Sequence, residues 1–125
     1  MKNTYEWWLA ACVYFEARGE DFAGQVAVVH VILNRVTRRQ KSITGVIQAD
    51  KQFSWYNGKK EPAITNWRAF IKCMDAVDYA ICERYEGNTL ESADHYHASY
   101  MAKYPYWTKQ YKEVARIGKH IFYRS

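Results

Sequence analysis

Residues 25–36 run Gln25-Val26-Ala27-Val28-Val29-His30-Val31-Ile32-Leu33-Asn34-Arg35-Val36, apolar on nearly every side of a helix. A helix without a polar face belongs in the interior, where all of its sides are kept from water. The stretch therefore predicts the central helix of the fold. His30 and Asn34, one turn apart, are expected to be a satisfied polar pair within it, with Gln25 bracing a loop at its start. Toward the N-terminus, Trp8, Ala11, Cys12 and Phe15 recur at i, i+3, i+4 and i+7. That spacing predicts an amphipathic helix over residues 4–17 with Thr4 as its cap. Arg18-Gly19-Glu20-Asp21 breaks it, and either acid suits the start of the central helix, where negative charge meets the positive end of the dipole.

Toward the C-terminus, residues 43–49 predict a short helix and residues 52–62 a loop carrying Phe53, Ser54, Trp55, Tyr56 and an Asn57-Gly58 turn. Trp67, Phe70, Ile71, Met74, Val77, Ile81 and Tyr85 keep helical spacing, with Asn66 as the cap and Gly87-Asn88 as the stop. The rhythm then changes. Asp94-His95-Tyr96-His97-Ala98 alternates like a strand, and Glu113–Ile117 and His120–Tyr123 flank a Gly118-Lys119 turn as a hairpin. The expected fold class is α+β, mainly helical, with a small C-terminal antiparallel β-sheet. A length of 125 residues suits one domain, 1–125.

Composition narrows the function classes. A chain 49% hydrophobic and 25% charged is not disordered, and no apolar run approaches the roughly 20 residues of a transmembrane helix. Eleven Tyr and five Trp exceed what a core this small can hide, so several rings are expected to line a groove, where flat amphipathic faces suit sugars or bases. The formal charge of +5 predicts attraction to polyanions, and Lys103, Lys109, Lys112, Arg116, Lys119 and Arg124 crowd the C-terminal part. Three cysteines without a C-x-x-C pair make neither a disulfide scaffold nor a zinc ribbon; Cys12, Cys73 and Cys82 are expected to be buried, reduced thiols. Leu9-Ala10-Ala11-Cys12 mimics a lipoprotein-processing site but has no apolar signal core before it, so cytoplasmic synthesis without a signal peptide is expected.

Several groups could carry chemistry. Glu16 lies on the shoulder of the first helix's apolar face, where desolvation favours a neutral carboxyl able to act as a general acid; an exposed Glu paired with Arg18 or Arg35 is the alternative. Glu20 offers a possible second acid, since glycosidases work with paired carboxylates, but the break at Gly19 hides the separation of the two. His95-x-His97 puts two imidazoles on one strand face, a spacing zinc can use, which makes a metal-dependent wall amidase or peptidase an alternative reading, with His120 as a further ligand. A basic, aromatic module that stacks on nucleic acid is a third. Ser54 lacks a nucleophile elbow, and the cysteines sit on apolar helical faces.

In order along the chain come Tyr14-Phe15-Glu16-Ala17-Arg18-Gly19-Glu20, Gly24-Gln25-Val26-Ala27-Val28, Ile32-Leu33-Asn34-Arg35-Val36, Gln52-Phe53-Ser54-Trp55, Asp94-His95-Tyr96-His97-Ala98, Pro105-Tyr106-Trp107 and Ile117-Gly118-Lys119-His120-Ile121-Phe122-Tyr123. This series resembles the SleB-type cell-wall hydrolases, the spore-cortex-lytic enzymes and their phage relatives. The resemblance implies a lysozyme-like or lytic-transglycosylase-like fold. It also implies cleavage of the β-1,4 bond between N-acetylmuramic acid and N-acetylglucosamine in bacterial peptidoglycan, with Glu16 as the acid and no metal or cofactor. Phe53, Ser54, Trp55, Tyr96 and His97 are then expected to border the sugar groove. It further implies a monomer with no nucleic-acid partner and no stable membrane insertion, and the basic charge fits a phage endolysin released to the wall through a holin pore.

Overall fold

The structure, a computed structural model, describes residues 4–49, 55–56 and 62–125. Four helices come first: α1 (Tyr5–Ala17), α2 (Phe22–Arg39), α3 (Ile43–Ile47) and α4 (Trp67–Tyr85). Three strands follow, β1 (His95–Ala98), β2 (Lys112–Ile117) and β3 (His120–Arg124), with short 3₁₀ turns at Leu90–Ser92 and Tyr106–Lys109. Each helix begins where a side-chain oxygen can take a free amide. Thr4 accepts from Trp7 N–H, Asp21 from Gly24 N–H, Ser42 from Gly45 N–H and Asn66 from Ala69 N–H, all at 2.9–3.1 Å. Asp21, rather than Glu20, is thus the cap of α2.

The helix expected to be amphipathic is not. Every residue of α1 from Trp7 to Tyr14 is buried, because α1 lies against α2, α3 and α4 together. The true central helix is α1, and α2 shares the role: it is buried from Gly24 to Ile32, but its last turn, Thr37, Arg38 and Arg39, is exposed. Gln40, in the left-handed region at φ 53°, closes α2 by donating its N–H to the Val36 carbonyl.

The polar residues of α2 decide where the sheet begins. Leu90, Glu91 and Ser92 stand at φ 55°, 50° and 64°, a left-handed run that ordinarily costs about 1–2 kcal/mol per residue. Asn34 braces both of its ends, donating to the Thr89 carbonyl at 2.8 Å and the Ala93 carbonyl at 2.7 Å, while Arg84 donates to Asn34 Oδ1 at 2.9 Å. Next along α2, Arg35 Nε donates to the Asp94 carbonyl at 2.7 Å. His30 Nε2 lies 2.9 Å from Glu83 Oε1, so the expected polar pair is satisfied through α4. Gln25 Nε2 reaches the Ala17 and Arg18 carbonyls at the end of α1, the loop brace expected of it.

The sheet is antiparallel in the order β1-β3-β2. Tyr96 faces Phe122 and Ala98 faces His120 across the β1–β3 pair. Phe122 joins Ala27, Val31 and Ala93 in a core against α2, with Tyr96, Ala115 and Ile117 beside it. Alternation sends His95 and His97 to the outer face.

Asp94 fastens the entry to β1. Its carboxylate accepts from Ser125 N–H at 2.9 Å and Ser125 Oγ at 2.5 Å, and lies 3.0 Å from His95 Nδ1. Burial pushes this carboxyl up, but the bonds from Ser125 and His95 outweigh it and hold the group below its ordinary value. A depressed carboxyl stabilises the fold above its unfolded pKa and loses that contribution as pH falls through the lower folded value. Asp94→Asn should therefore cost about 1–3 kcal/mol in urea denaturation at neutral pH. The gap to wild type should narrow only below about pH 4; a gap independent of pH would contradict this account.

Candidate active site

Glu16 stands in the last turn of α1, half-buried, where the helix runs out beneath the inner face of the sheet. The Tyr96 hydroxyl, carried on β1, donates to Glu16 Oε1 at 2.6 Å. Burial, and then the nearby Glu16 charge, push the Tyr96 phenol well above its usual range, so it remains a hydroxyl donor at any physiological pH. The Tyr96 ring is held edge-on by His120 (centroids 5.1 Å, 88°) and lies beside Phe122 at 5.7 Å. Arg35, 8% exposed, places a buried positive charge that acts on both Tyr96 and Cys12. Of the arginines weighed as partners for Glu16, Arg35 holds the Asp94 carbonyl and Arg18 donates to the Tyr14 hydroxyl.

Phe15, the residue before Glu16, belongs to an aromatic shelf. Phe15 stacks on Trp55 (5.0 Å, 21°), Trp55 meets Tyr56, and Tyr56 sits edge-on against Trp8. Tyr14 fixes the approach of the chain toward α4 by accepting from Asn66 N–H at 3.0 Å, besides its bond with Arg18. Phe53 and Ser54, expected to border the groove, lie outside the described residues.

Glu20 is not an open second acid. Its side chain is 9% exposed, and Oε1 accepts the Lys119 N–H at 2.8 Å and lies 3.1 Å from His120 Nδ1. It is committed to the β2–β3 turn, 99 residues away in sequence.

His97 does not join Glu16 either. It is buried on the outer face, with Nε2 3.0 Å from the Tyr123 hydroxyl, Nδ1 2.9 Å from the Ala98 carbonyl, and its ring against Tyr104 at 4.2 Å. His95 packs beside it between Trp107 and Tyr111. His120 lies on the inner face, so the three imidazoles that a metal site would need are divided by the sheet. Among the described residues no three His, Cys, Asp or Glu side chains are placed to hold a metal ion. A cavity of about 380 Å³ between α2 and α4, lined by Phe22, Val26, His30, Tyr79, Glu83 and Ile117, includes neither Glu16 nor Tyr96.

Sequence reasoning missed the work of Tyr14, Arg35 and His120. A signal for His120 was available, since a hairpin strand paired with β1 puts it two positions from Tyr96's partner and on the same face.

Comparison with known proteins places the chain in a family. The sequence profile of the Cell Wall Hydrolase family matches residues 19–123, and the chain belongs to that family. The spore cortex-lytic enzyme of Bacillus subtilis (strain 168) is 33% identical over 117 residues, covering 91% of this chain and 35% of that one. The Bacillus cereus spore cortex-lytic enzyme is 30% identical and is covered to 42%. The chain thus spans well under half the length of these curated relatives. Among solved structures, the catalytic domain of the germination-specific lytic transglycosylase SleB from Bacillus anthracis superposes with a TM-score of 0.72 at 29% identity, covering 99% of this chain and 97% of that one. The catalytic domain of the Bacillus cereus SleB protein gives 0.70 at 30%, covering 96% and 89%. The mainly helical fold with its small antiparallel sheet is the one these domains share.

The thiols depart from expectation at one position. Cys12 and Cys73 are buried, but Cys82 is exposed; nine residues after Cys73, it falls on the opposite side of α4. Burial pushes the Cys12 thiol well up, with the Glu16 charge adding to it, and pushes Cys73 up to about 11. A thiol reagent should therefore label Cys82 alone in the native protein and all three cysteines once it is unfolded. Rapid native labelling of Cys12 would contradict the packing at the end of α1.

Proposed function

We propose that this chain cleaves peptidoglycan at the β-1,4 bond between N-acetylmuramic acid and N-acetylglucosamine as a lytic transglycosylase, with Glu16 as general acid and then general base. The observation that carries this reading is the 2.6 Å bond from a buried phenol to a half-buried carboxyl at a helix end, beside an aromatic shelf. A carboxyl held by one oxygen keeps a fixed orientation, and orientation is a large part of what a general acid supplies. Family membership and the likeness to a lytic transglycosylase catalytic domain support the same reading.

In this mechanism protonated Glu16 donates its proton to the glycosidic oxygen, the bond to muramic C1 breaks, and an oxocarbenium-like centre develops. The N-acetylglucosamine portion leaves with a new hydroxyl. The muramic C6 hydroxyl then bonds to C1 and gives its proton to the Glu16 carboxylate, which restores the acid and leaves a 1,6-anhydro end. Hydrolysis with inversion would need a second, free carboxylate to activate water across the ring. The bond of Glu20 to Lys119 N–H and its burial beside His120 argue against that route. Trp55, stacked on Phe15, supplies a flat face for a sugar ring next to the acid.

Mass spectrometry of muropeptides released from purified peptidoglycan tests this directly. The wild type should yield anhydromuramyl ends, and Glu16→Gln should lose them by a factor of 10³ or more, on the order of 4 kcal/mol in the barrier. Reducing muramic ends would make the protein a muramidase, full activity in Glu16→Gln would remove the central claim, and cleaved peptide stems would restore the amidase reading. Tyr96→Phe removes the hydrogen bond that orients Glu16 and should lower kcat roughly ten- to hundredfold with the fold intact.

A further inference from the structure

We infer that Glu20 is a positioning residue that acts through His120 on Tyr96, so that the β2–β3 turn forms part of the apparatus aiming Glu16. The inference rests on the reading of Glu16 as the acid, but its geometry is separate. Glu20 takes the Lys119 amide at 2.8 Å and lies 3.1 Å from His120 Nδ1, with the two side chains only 9% and 13% exposed. His120 then presents its ring edge-on to Tyr96, and Tyr96 holds Glu16 Oε1. The two acids of the Glu16-Ala17-Arg18-Gly19-Glu20 stretch thus grip the same sheet at two points, one through β1 and the other through the start of β3.

Gly118 is what allows the second grip. It stands at φ +57°, and a Cβ built there would come 2.8 Å from Glu20 Oε1 and 3.9 Å from Asp21 Oδ1. Any larger residue at this position must push the Glu20 carboxylate off the turn. The other acid near the turn, Asp21, already caps α2 through Gly24 N–H. Glu20 is therefore the carboxylate that engages the turn and His120. Phe122 lies against the Tyr96 ring, Ala27, Val31 and Ala93 form the core behind it, and the buried Arg35 charge acts on it from α2. Loss of His120's support leaves the Tyr96 ring free to tilt, and tilting carries its hydroxyl away from Glu16.

A double-mutant cycle separates this role from direct chemistry and from plain stability. Glu20→Ala and His120→Ala should each lower kcat roughly ten- to hundredfold, the scale of a small misplacement of an acid, with KM little changed and the product still anhydromuramyl. His120→Phe keeps a ring against Tyr96 and should recover most of the loss. Combined with Tyr96→Phe, Glu20→Ala should add almost nothing, because both act through one hydroxyl. Should Glu20→Ala unfold the protein, Glu20→Gln retains the acceptor for Lys119 N–H while removing the charge beside His120, and carries the same cycle. An activity-free readout accompanies it: the Tyr96 hydroxyl proton, buried and bonded to Glu16, is expected to exchange slowly by NMR in the wild type and faster in the Glu20 and His120 variants. Additive losses in the cycle, a Glu20→Ala loss as deep as that of Glu16→Gln, or unchanged hydroxyl exchange would overturn the inference. Anhydro products that persist in Glu16→Gln would instead defeat the reading of Glu16, and the exchange measurement would still decide the clamp.

Discussion

A buried tyrosine hydroxyl bonded to a carboxyl at the end of a buried helix is the contact around which this protein is organised. A carboxyl taken partly out of water needs a partner, and a phenol taken out of water needs an acceptor, so each satisfies a demand the other creates. The remaining architecture brings the two together. The other three helices bury α1 nearly to its last turn, and a three-stranded sheet is fixed over that end with its inner face down. Asn34 and Arg35 set the entry of β1 by binding the backbone carbonyls of Thr89, Ala93 and Asp94. These are bonds to main chain, which do not depend on the side chains of the segment they hold.

Much of the fold was legible because periodicity and caps are local signals. Thr4 and Asn66 cap the helices they were expected to cap, and the Gly118-Lys119 turn joins the two strands expected of it. The burial of α1 on every side was not legible, since spacing shows which residues are apolar but not how many neighbours enclose them. Nor was the left-handed run at Leu90, Glu91 and Ser92, which contains neither the Gly nor the Asn that usually marks that conformation. It exists because Asn34, more than fifty residues earlier, holds its two ends.

The site was legible in part, for a physical reason. Glu16 stood out because the helix end and the motif around it coincide. Tyr96 and His97 were both assigned to the groove because they share a motif, but adjacent residues of a strand face opposite ways, and only Tyr96 meets Glu16. Glu20 was ambiguous because the chain leaves its helix at Arg18, after which spacing no longer carries direction. His95 and His97, which looked like ligands, pack with Trp107 and Tyr123 in an aromatic layer on the outer face, with His97 bonded to Tyr123. It gives the strand carrying Tyr96 a solid back.

The bonds that complete the site join residues far apart in the chain, Glu16 to Tyr96 across 80 positions and Glu20 to Lys119 across 99. Contacts of such separation form late, since a long loop must close before they reward the chain. During synthesis α1 leaves the ribosome with Glu16, but Tyr96 and the β2–β3 turn follow about a hundred residues later, several seconds at ordinary elongation rates. The Tyr96–Glu16 bond thus cannot form until the sheet docks. On the proposed reading of Glu16, the order of assembly built into the topology delays cleavage until the domain is folded.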